Sequence, residues 1–391
     1  MNDLTARRKL NIAIVSDFSY PYTKGGVESR YFVLAKYLLS QGHHVTWFTS
    51  RQWNGSSEQV VEGIRVYCIS KRLQPFSGSR RSIIEAIQFG LAAFHLLWVR
   101  ERFDVMDMSQ FPLFHLFAGN LYAWSRQTPV VESWYEFWDD HWLKYLGQMG
   151  RMGRLIEKIL ARFHNHKIVI SKITFDRLVA AGCNPHLLHY VPNWIDYEHI
   201  LNIMPLGKPF DVCYFGRLKD HKNIDMLLRA IALCGNEGLV LQTKILGDGP
   251  ERQRLEQLTQ DLQLGSQVEF GGQIEQHDDL LGYVKSARLV VIPSTKDSGG
   301  SITALEANAC GVPVLAIQCP LGLDESLISE DRNGYWAKEA DPRSLADRIR
   351  HHFRKSQVEQ ERMRVSALEQ ASNYKVESLC RQVESIYLGA S

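Results

Sequence analysis

The chain has 391 residues, enough for two domains with separate cores, since single cores stop growing beyond roughly 250–300 residues. Its 45 lysines and arginines stand against 43 aspartates and glutamates, so no nucleic-acid partner is expected from the overall field. Seven cysteines without a CxxC pair or zinc-like histidine spacing suit a reduced, cytosolic protein and argue against a disulfide scaffold or a structural metal.

The start, "MNDLTARRKLNIAIVSDF", is basic, but its apolar run breaks at Ser16-Asp17, too early for a secretory core, so no export is expected. From there short β-branched runs alternate with helix-length amphipathic stretches. That alternation marks parallel sheets covered by helices. In the first half the strands are read as "NIAIVS", "HVTWFTS", "IRVYCIS", "FDVMDMS", "TPVVES" and "HKIVIS". In the second they are "FDVCYFG", "LQTKILG", "QVEFGG", "ARLVVIPS" and "VPVLAI".

The fold class read from this is α/β, with two Rossmann-like doubly wound domains facing a cleft. The first spans 1–195 and the second 208–372, and Pro192, Pro205, Gly207 and Pro209 break the linker from Val191 to Phe210. The longest apolar run, Ile83 to Val99, is interrupted by Glu85, Gln88 and His95. It is shorter than the roughly 20 apolar residues of a membrane span and reads as a buried or interfacial helix.

The residues at the strand ends carry the chemistry. After the first strand, Gly25-Gly26 directly precedes a helix; two readings stand, close approach of backbone amides to an anion or a plain tight turn. After the first strand of the second half come Gly216, Arg217 and, before the next helix, Lys222. A forked guanidinium and a point-charge ammonium at one loop suit a diphosphate, against the alternative of solvated surface charge. The glycines of "GDGP", Gly247 to Pro250, read as structural.

The segment "TKDSGGSITALEANACG" then joins Gly299, Gly300 and Ser301 at a helix start to Glu306 on the helix itself. A carboxylate among apolar neighbours needs donors, and a ribose diol would supply two; an exposed helical glutamate is the plain alternative. The aromatic residues Trp134, Trp138 and Trp142 recur every four positions and read either as a wall for a sugar or lipid acceptor, with His141 beside them, or as core packing. Arg151, Arg154, Lys158, Arg162 and Lys167 interleave with Leu155, Ile156, Ile159 and Leu160, a pattern for an anionic membrane surface or for a solvated helix face.

In their order along the chain, Gly-Gly-Val-Glu, Gly-Arg-Leu with Lys222, Gly-Asp-Gly-Pro, and Glu-Ala followed by Cys-Gly-Val-Pro-Val resemble the GT-B fold glycosyltransferases of family 4. The resemblance runs from about Asn11 to the last helix. It implies a retaining transfer of a sugar from a nucleoside diphosphate sugar, UDP-sugar by default, to a glycan, lipid-linked or small-molecule hydroxyl. No metal or other cofactor is then obligatory. Arg217 and Lys222 would hold the diphosphate and meet its developing charge, Glu306 the ribose, and Gly25-Gly26 would approach the diphosphate or acceptor. The final helix, within 373–391, would pack back onto the first domain.

Two positions depart from the family pattern. Ser298, preceded by Asp297, stands where a sugar-contacting glutamate is usual, so Asp297, Ser298 and the amides of Gly299, Gly300 and Ser301 become candidates for donor binding. Tyr135 stands where a histidine is frequent, with Glu136, Asp139, Asp140 and His141 close by to compensate. A phenol cannot replace an imidazole as an acid or base near pH 7. Tyr135, whose phenol can still hydrogen-bond a sugar hydroxyl, and Glu136 are carried as catalytic candidates, and Trp134, Trp138 and His141 as acceptor candidates. A cytoplasmic protein is expected, with peripheral contact at the inner membrane surface left open. The rival is a scaffold or binding protein that kept the fold and lost turnover.

Overall fold

The computed structural model describes residues 8–23, 25–73, 76–77, 80–296 and 300–391. The chain divides into two compact units, one built from 1–170, 174–191 and 377–391 and the other from 171–173 and 192–376. Each contains a predominantly parallel sheet between helices.

In the first unit the strands are β1 (Asn11–Val15), β2 (His44–Ser50), β3 (Glu58–Val61), β4 (Ile64–Ser70), the short ribbon β5 (Phe76–Ser77) and β6 (Arg80–Arg81), then β7 (Val105–Ser109), β8 (Val130–Trp134), β9 (His166–Val169) and β10 (Leu188–Tyr190). Eight of them form one sheet in the order β10-β9-β8-β7-β1-β2-β4-β3. All its neighbours pair in parallel except β3, which forms a hairpin with β4. Every residue of β7 and β8 is buried, the pattern of parallel strands covered on both faces.

The helices of this unit are α1 (Gly26–Ser40), α2 (Ile83–Ala93), α3 (His115–Arg126), α4 (His141–Leu146), α5 (Gly150–Ala161) and most of α6 (Lys172–Ala180). Burial on both sheet faces leaves polar side chains inside, and several of them pair with one another. Asp107 on β7 accepts from the hydroxyls of Tyr31 at 2.7 Å, Ser133 at 2.9 Å and Tyr387. Tyr387 belongs to the C-terminal helix, Val376–Ala390, whose Glu384 also accepts from Tyr37 at 2.9 Å and lies 3.1 Å from His43 Nε2. Glu132 and Lys167, both fully buried, form an ion pair at 3.5 Å. This corrects the reading of Lys167 as part of a basic surface helix: it lies on β9, inside the unit.

In the second unit six parallel strands, β11 (Phe210–Phe215), β12 (Thr243–Leu246), β13 (Val268–Gly272), β14 (Ala287–Ile292), β15 (Val314–Ile317) and β16 (Gly334–Ala337), lie in the order β13-β12-β11-β14-β15-β16. The helices α7 (Tyr197–Asn202), α8 (Ile224–Asn236), α9 (Arg252–Asp261), α10 (His277–Lys285), α11 (Ile302–Ala309), α12 (Pro342–Arg354) and α13 (Gln357–Ser372) accompany them. The chain leaves β11 toward β12 on one side and later returns to β14 on the other. That reversal opens a crevice at the carboxyl ends of β11 and β14, where doubly wound sheets bind ligands.

Candidate functional site

At the switch point of the second unit two loops are sewn together. The loop after β11 contains Gly216, exposed Arg217, and half-buried Lys219 and Lys222. Asn223, in the left-handed conformation with φ 50°, caps α8 and sends its amide to the Pro293 carbonyl and the Thr295 hydroxyl, each at 3.1 Å. Ser294 donates to the His221 carbonyl at 3.2 Å. The loop after β14 is thus held beside the loop carrying the cations. Partial burial, followed by the nearby charges of Arg217 and Lys222, lowers the Lys219 pKa. Three cations therefore share one positive field, and an anion entering it relieves their mutual repulsion.

The neighbouring Gly-Asp-Gly-Pro turn is structural. A Cβ on Gly247 would stand 2.0 Å from the Gly216 carbonyl oxygen, and one on Gly249 would stand 2.2 Å from that of Leu218. Gly247 also has φ +141°, so a side chain is excluded both by contact and by conformation.

Past β14, Ser301 caps α11 without a side-chain hydrogen bond. The first-turn amides of a helix need outside partners and favour negative charge. Asn193 donates to the Gly300 carbonyl at 2.5 Å, fixing the entry to this helix. One turn further on, Glu306 keeps 12% of its side chain exposed and lies 2.9 Å from Nε2 of His277, the first residue of α10. The hydrogen bond to Glu306 raises the His277 pKa. His277 lies in sequence well outside the motif containing Glu306, and no spacing rule would have paired them. Asp297, Ser298 and Gly299 lie outside the described residues.

In the first unit Gly25 is the N-cap of α1 in extended conformation, and Gly26 opens the helix with open space where a Cβ would sit. The loop after β8 carries Tyr135 to Asp140 and is governed by two fully buried side chains absent from the sequence reading, Gln110 and Glu157. The Gln110 carbonyl accepts from the amides of Tyr135 and Glu136 at 3.2 and 3.1 Å. Glu157 accepts from the Trp138 amide at 3.0 Å, the Asp139 amide at 2.9 Å, the Trp142 indole at 3.1 Å and the Gln110 amide at 3.4 Å. Burial outweighs these donors and pushes its pKa up to about 7.

The aromatic repeat is not one helical wall. Trp134 ends β8, fully buried, with its indole bound to Glu132 at 2.9 Å; it is a core residue, and its assignment to an acceptor surface is corrected. Trp138 sits in the loop, 5.0 Å from the His141 ring and 4.7 Å from that of Trp142, and its indole donates to Glu136. Tyr135 packs edge-on against Tyr31 with its hydroxyl sealed from solvent. Burial raises its pKa well beyond the ordinary phenol value. It faces the interior of its unit, whereas Glu136, Trp138 and His141 keep partial exposure. Arg154 and Lys158 are neutralised by Asp139, at 2.5 and 3.2 Å, and Arg154 also reaches Asp140 at 2.9 Å.

Two doubly wound units, one with a cationic switch point, define a protein of the GT-B class. Residues 24–199 match the family described as Glycosyltransferase Family 4 and residues 200–369 that of Glycosyl transferases group 1. The chain belongs to the GT-B glycosyltransferases of family 4.

A human phosphatidylinositol N-acetylglucosaminyltransferase subunit is 26% identical over 337 residues, covering 82% of this chain and 65% of that protein. The chain thus spans just under two thirds of this relative's length. The sucrose-phosphate synthase of Thermosynechococcus elongatus superposes with a TM-score of 0.77 at 21% identity, over 98% of this chain and 99% of the other. HepE of Anabaena, solved in complex with UDP, gives 0.73 at 17% identity over 97% and 100% of the respective chains. At these identities the superpositions speak for the fold.

Proposed function

We propose that the protein is a retaining glycosyltransferase that moves a sugar from a nucleoside diphosphate sugar to an acceptor hydroxyl. The observation that carries this reading is the cation cluster of Arg217, Lys219 and Lys222, sewn through Asn223 and Ser294 to the loop that leads into α11. In this account the 208–372 region binds the donor and the 1–195 region the acceptor. Uridine is the favoured base, in keeping with the UDP bound by HepE.

Arg217 and Lys222 grip the diphosphate, Lys219 adds charge, and the α11 amides near Gly300 and Ser301 meet its oxygens. Glu306, oriented by His277, accepts from the ribose hydroxyls. The bond from the anomeric carbon to the diphosphate breaks and the bond to the acceptor oxygen forms on the same face. The acceptor proton passes to the departing phosphate. Donors fixed in advance are worth most where charge develops, so these cations and amides supply the electrostatic stabilisation without an obligatory metal. Gly25 and Gly26 approach the diphosphate or the acceptor, and Glu136, Trp138 and His141 are assigned to the acceptor side.

The test is nucleoside diphosphate release from UDP-, GDP-, ADP- and TDP-sugars with an acceptor panel that includes glycans, lipids and water, in the presence of EDTA. Release from one donor class, lowered about a hundredfold to a thousandfold by Lys222→Ala and giving a product of unchanged anomeric configuration, is expected. Equal release by Lys222→Ala, inversion, or loss of turnover with EDTA would overturn the corresponding part of the reading.

A further inference from the structure

Two helices of the first unit turn apolar stripes outward. On α2 these are Ile84, Ile87 and Leu91, and on α5 Met152, Leu155 and Ile159, all at least 41% exposed. Both stripes follow the i, i+3, i+7 spacing that places residues on one helix face, the face a surface helix ordinarily turns to the core. From α2 to α5 runs an apolar pocket of about 210 Å³, with Ile87, Phe111, Trp138, Trp142, Met149 and Met152 among its walls. The Phe111 and Trp138 rings lie 5.2 Å apart.

The pocket is a built feature. Buried Glu157 holds the Trp138 amide and the Trp142 indole, setting two walls. Gly153 is required beneath, since a Cβ there would stand 2.7 Å from the Trp142 ring. A pocket with these apolar walls favours an apolar guest.

The charges on the same helices bear on the occupant. Along the chain Lys144 lies on α4 between the pocket residues Trp142 and Tyr145, and Arg151 precedes the pocket residue Met152 on α5; both are exposed. Asp139 and Asp140 are engaged by Arg154 and Lys158, which leaves Lys144 and Arg151 as exposed cations on α4 and α5. Exposed apolar side chains interleaved with cations suit an amphiphile with an anionic head. A second copy docking about a two-fold axis would bring the same cations face to face.

We infer that this pocket binds a segment of the hydrocarbon chain of an anionic lipid, and that this lipid is the acceptor. The second clause rests on the transferase reading. The loop that supplies Trp138 also supplies Glu136, which accepts from the Trp138 indole, so a chain held here places its head beside the acceptor-side residues.

The probe is cis-parinaric acid added to the full chain, read by energy transfer from tryptophan. Saturable binding is expected, weakened at least tenfold in Met149→Glu/Met152→Glu and in the uncharged Ala86→Phe, which fills the pocket from its α2 wall. The two methionines are 65% and 63% exposed, so the double variant should keep the wild-type melting temperature and its shift with UDP. Displacement by dioctanoylphosphatidylglycerol marks an acyl lipid and displacement by farnesyl phosphate an isoprenoid; displacement by neither overturns the inference. So do the absence of saturable binding, equal binding by both variants, and sedimentation showing a dimer that the double variant dissolves while no probe binds. A protein that binds UDP but no parinaric acid loses the lipid and keeps the transferase reading. The converse result removes the donor site alone.

Discussion

Glu157 offers a quantitative check on the architecture behind the acceptor-side loop. Its carboxyl is fully buried and accepts four hydrogen bonds, yet burial wins and raises its pKa from 4.5 to about 7. Between those values the folded chain holds a proton that the unfolded chain has released. The associated stability is therefore complete below about pH 4.5 and lost as pH rises through about 7. At about 1.4 kcal/mol for each pH unit the full effect is about 3 kcal/mol, of which about 2.5 kcal/mol falls between pH 5 and pH 8.

Glu157→Gln removes the titration. Whatever constant offset the amide introduces, the stability of the variant relative to wild type should improve by about 2.5 kcal/mol from pH 5 to pH 8, or about 5 to 10 °C in relative Tm for a domain of this size. Melting curves followed by near-ultraviolet circular dichroism, which reports on Trp138 and Trp142, give the difference directly. A difference that stays flat with pH, or moves the other way, would show that the four donors match or outweigh burial and would refute the reasoning.

Other perturbations have equally definite outcomes. Lys222→Ala should lower kcat by about a hundredfold to a thousandfold, the scale of one preorganised donor, in steady-state turnover with saturating donor. Glu306→Gln should weaken nucleotide binding by about 1.5 to 3 kcal/mol, measured as a dissociation constant; an unchanged value would remove Glu306 from the ribose. Glu132→Ala leaves Lys167 buried without its counter-ion and should cost about 3 to 5 kcal/mol in urea unfolding, whereas a loss below 1 kcal/mol would mean the pair contributes nothing.

The α/β alternation was legible because buried parallel strands such as "NIAIVS" are continuous apolar runs. Of the strands in the two large sheets, three escaped that signal. β3 is a half-exposed hairpin edge, β10 is three residues long, and β16, Gly-Tyr-Trp-Ala, has no β-branched residue. The last still accepts its glycine for a physical reason, because a Cβ on Gly334 would lie 2.1 Å from the Val314 carbonyl oxygen. The Ile83–Val99 run, read as a buried or interfacial helix, became α2 followed by a 3₁₀ turn with an outward stripe.

At the site, what could be read was what lies just past a strand: Gly216, Arg217, Lys222, Gly300 and Ser301. What could not be read were partnerships across long stretches of chain. Glu306 meets His277 from 29 residues away, and Gln110 meets Glu157 from 47. The four-residue tryptophan spacing misled because it crosses a strand, a loop and a helix, so its period belongs to no single element. Among the described residues no helix is long and apolar enough to cross a membrane.

The central claim is a nucleoside diphosphate held by the cation cluster after β11. Calorimetric titration of UDP, GDP, ADP and TDP into the wild-type chain and into Arg217→Ala/Lys222→Ala tests it most directly. The account predicts saturable binding of one diphosphate, UDP first, and at least a hundredfold weaker binding by the double variant. Binding of none of the four, or equal binding by the variant, would contradict it.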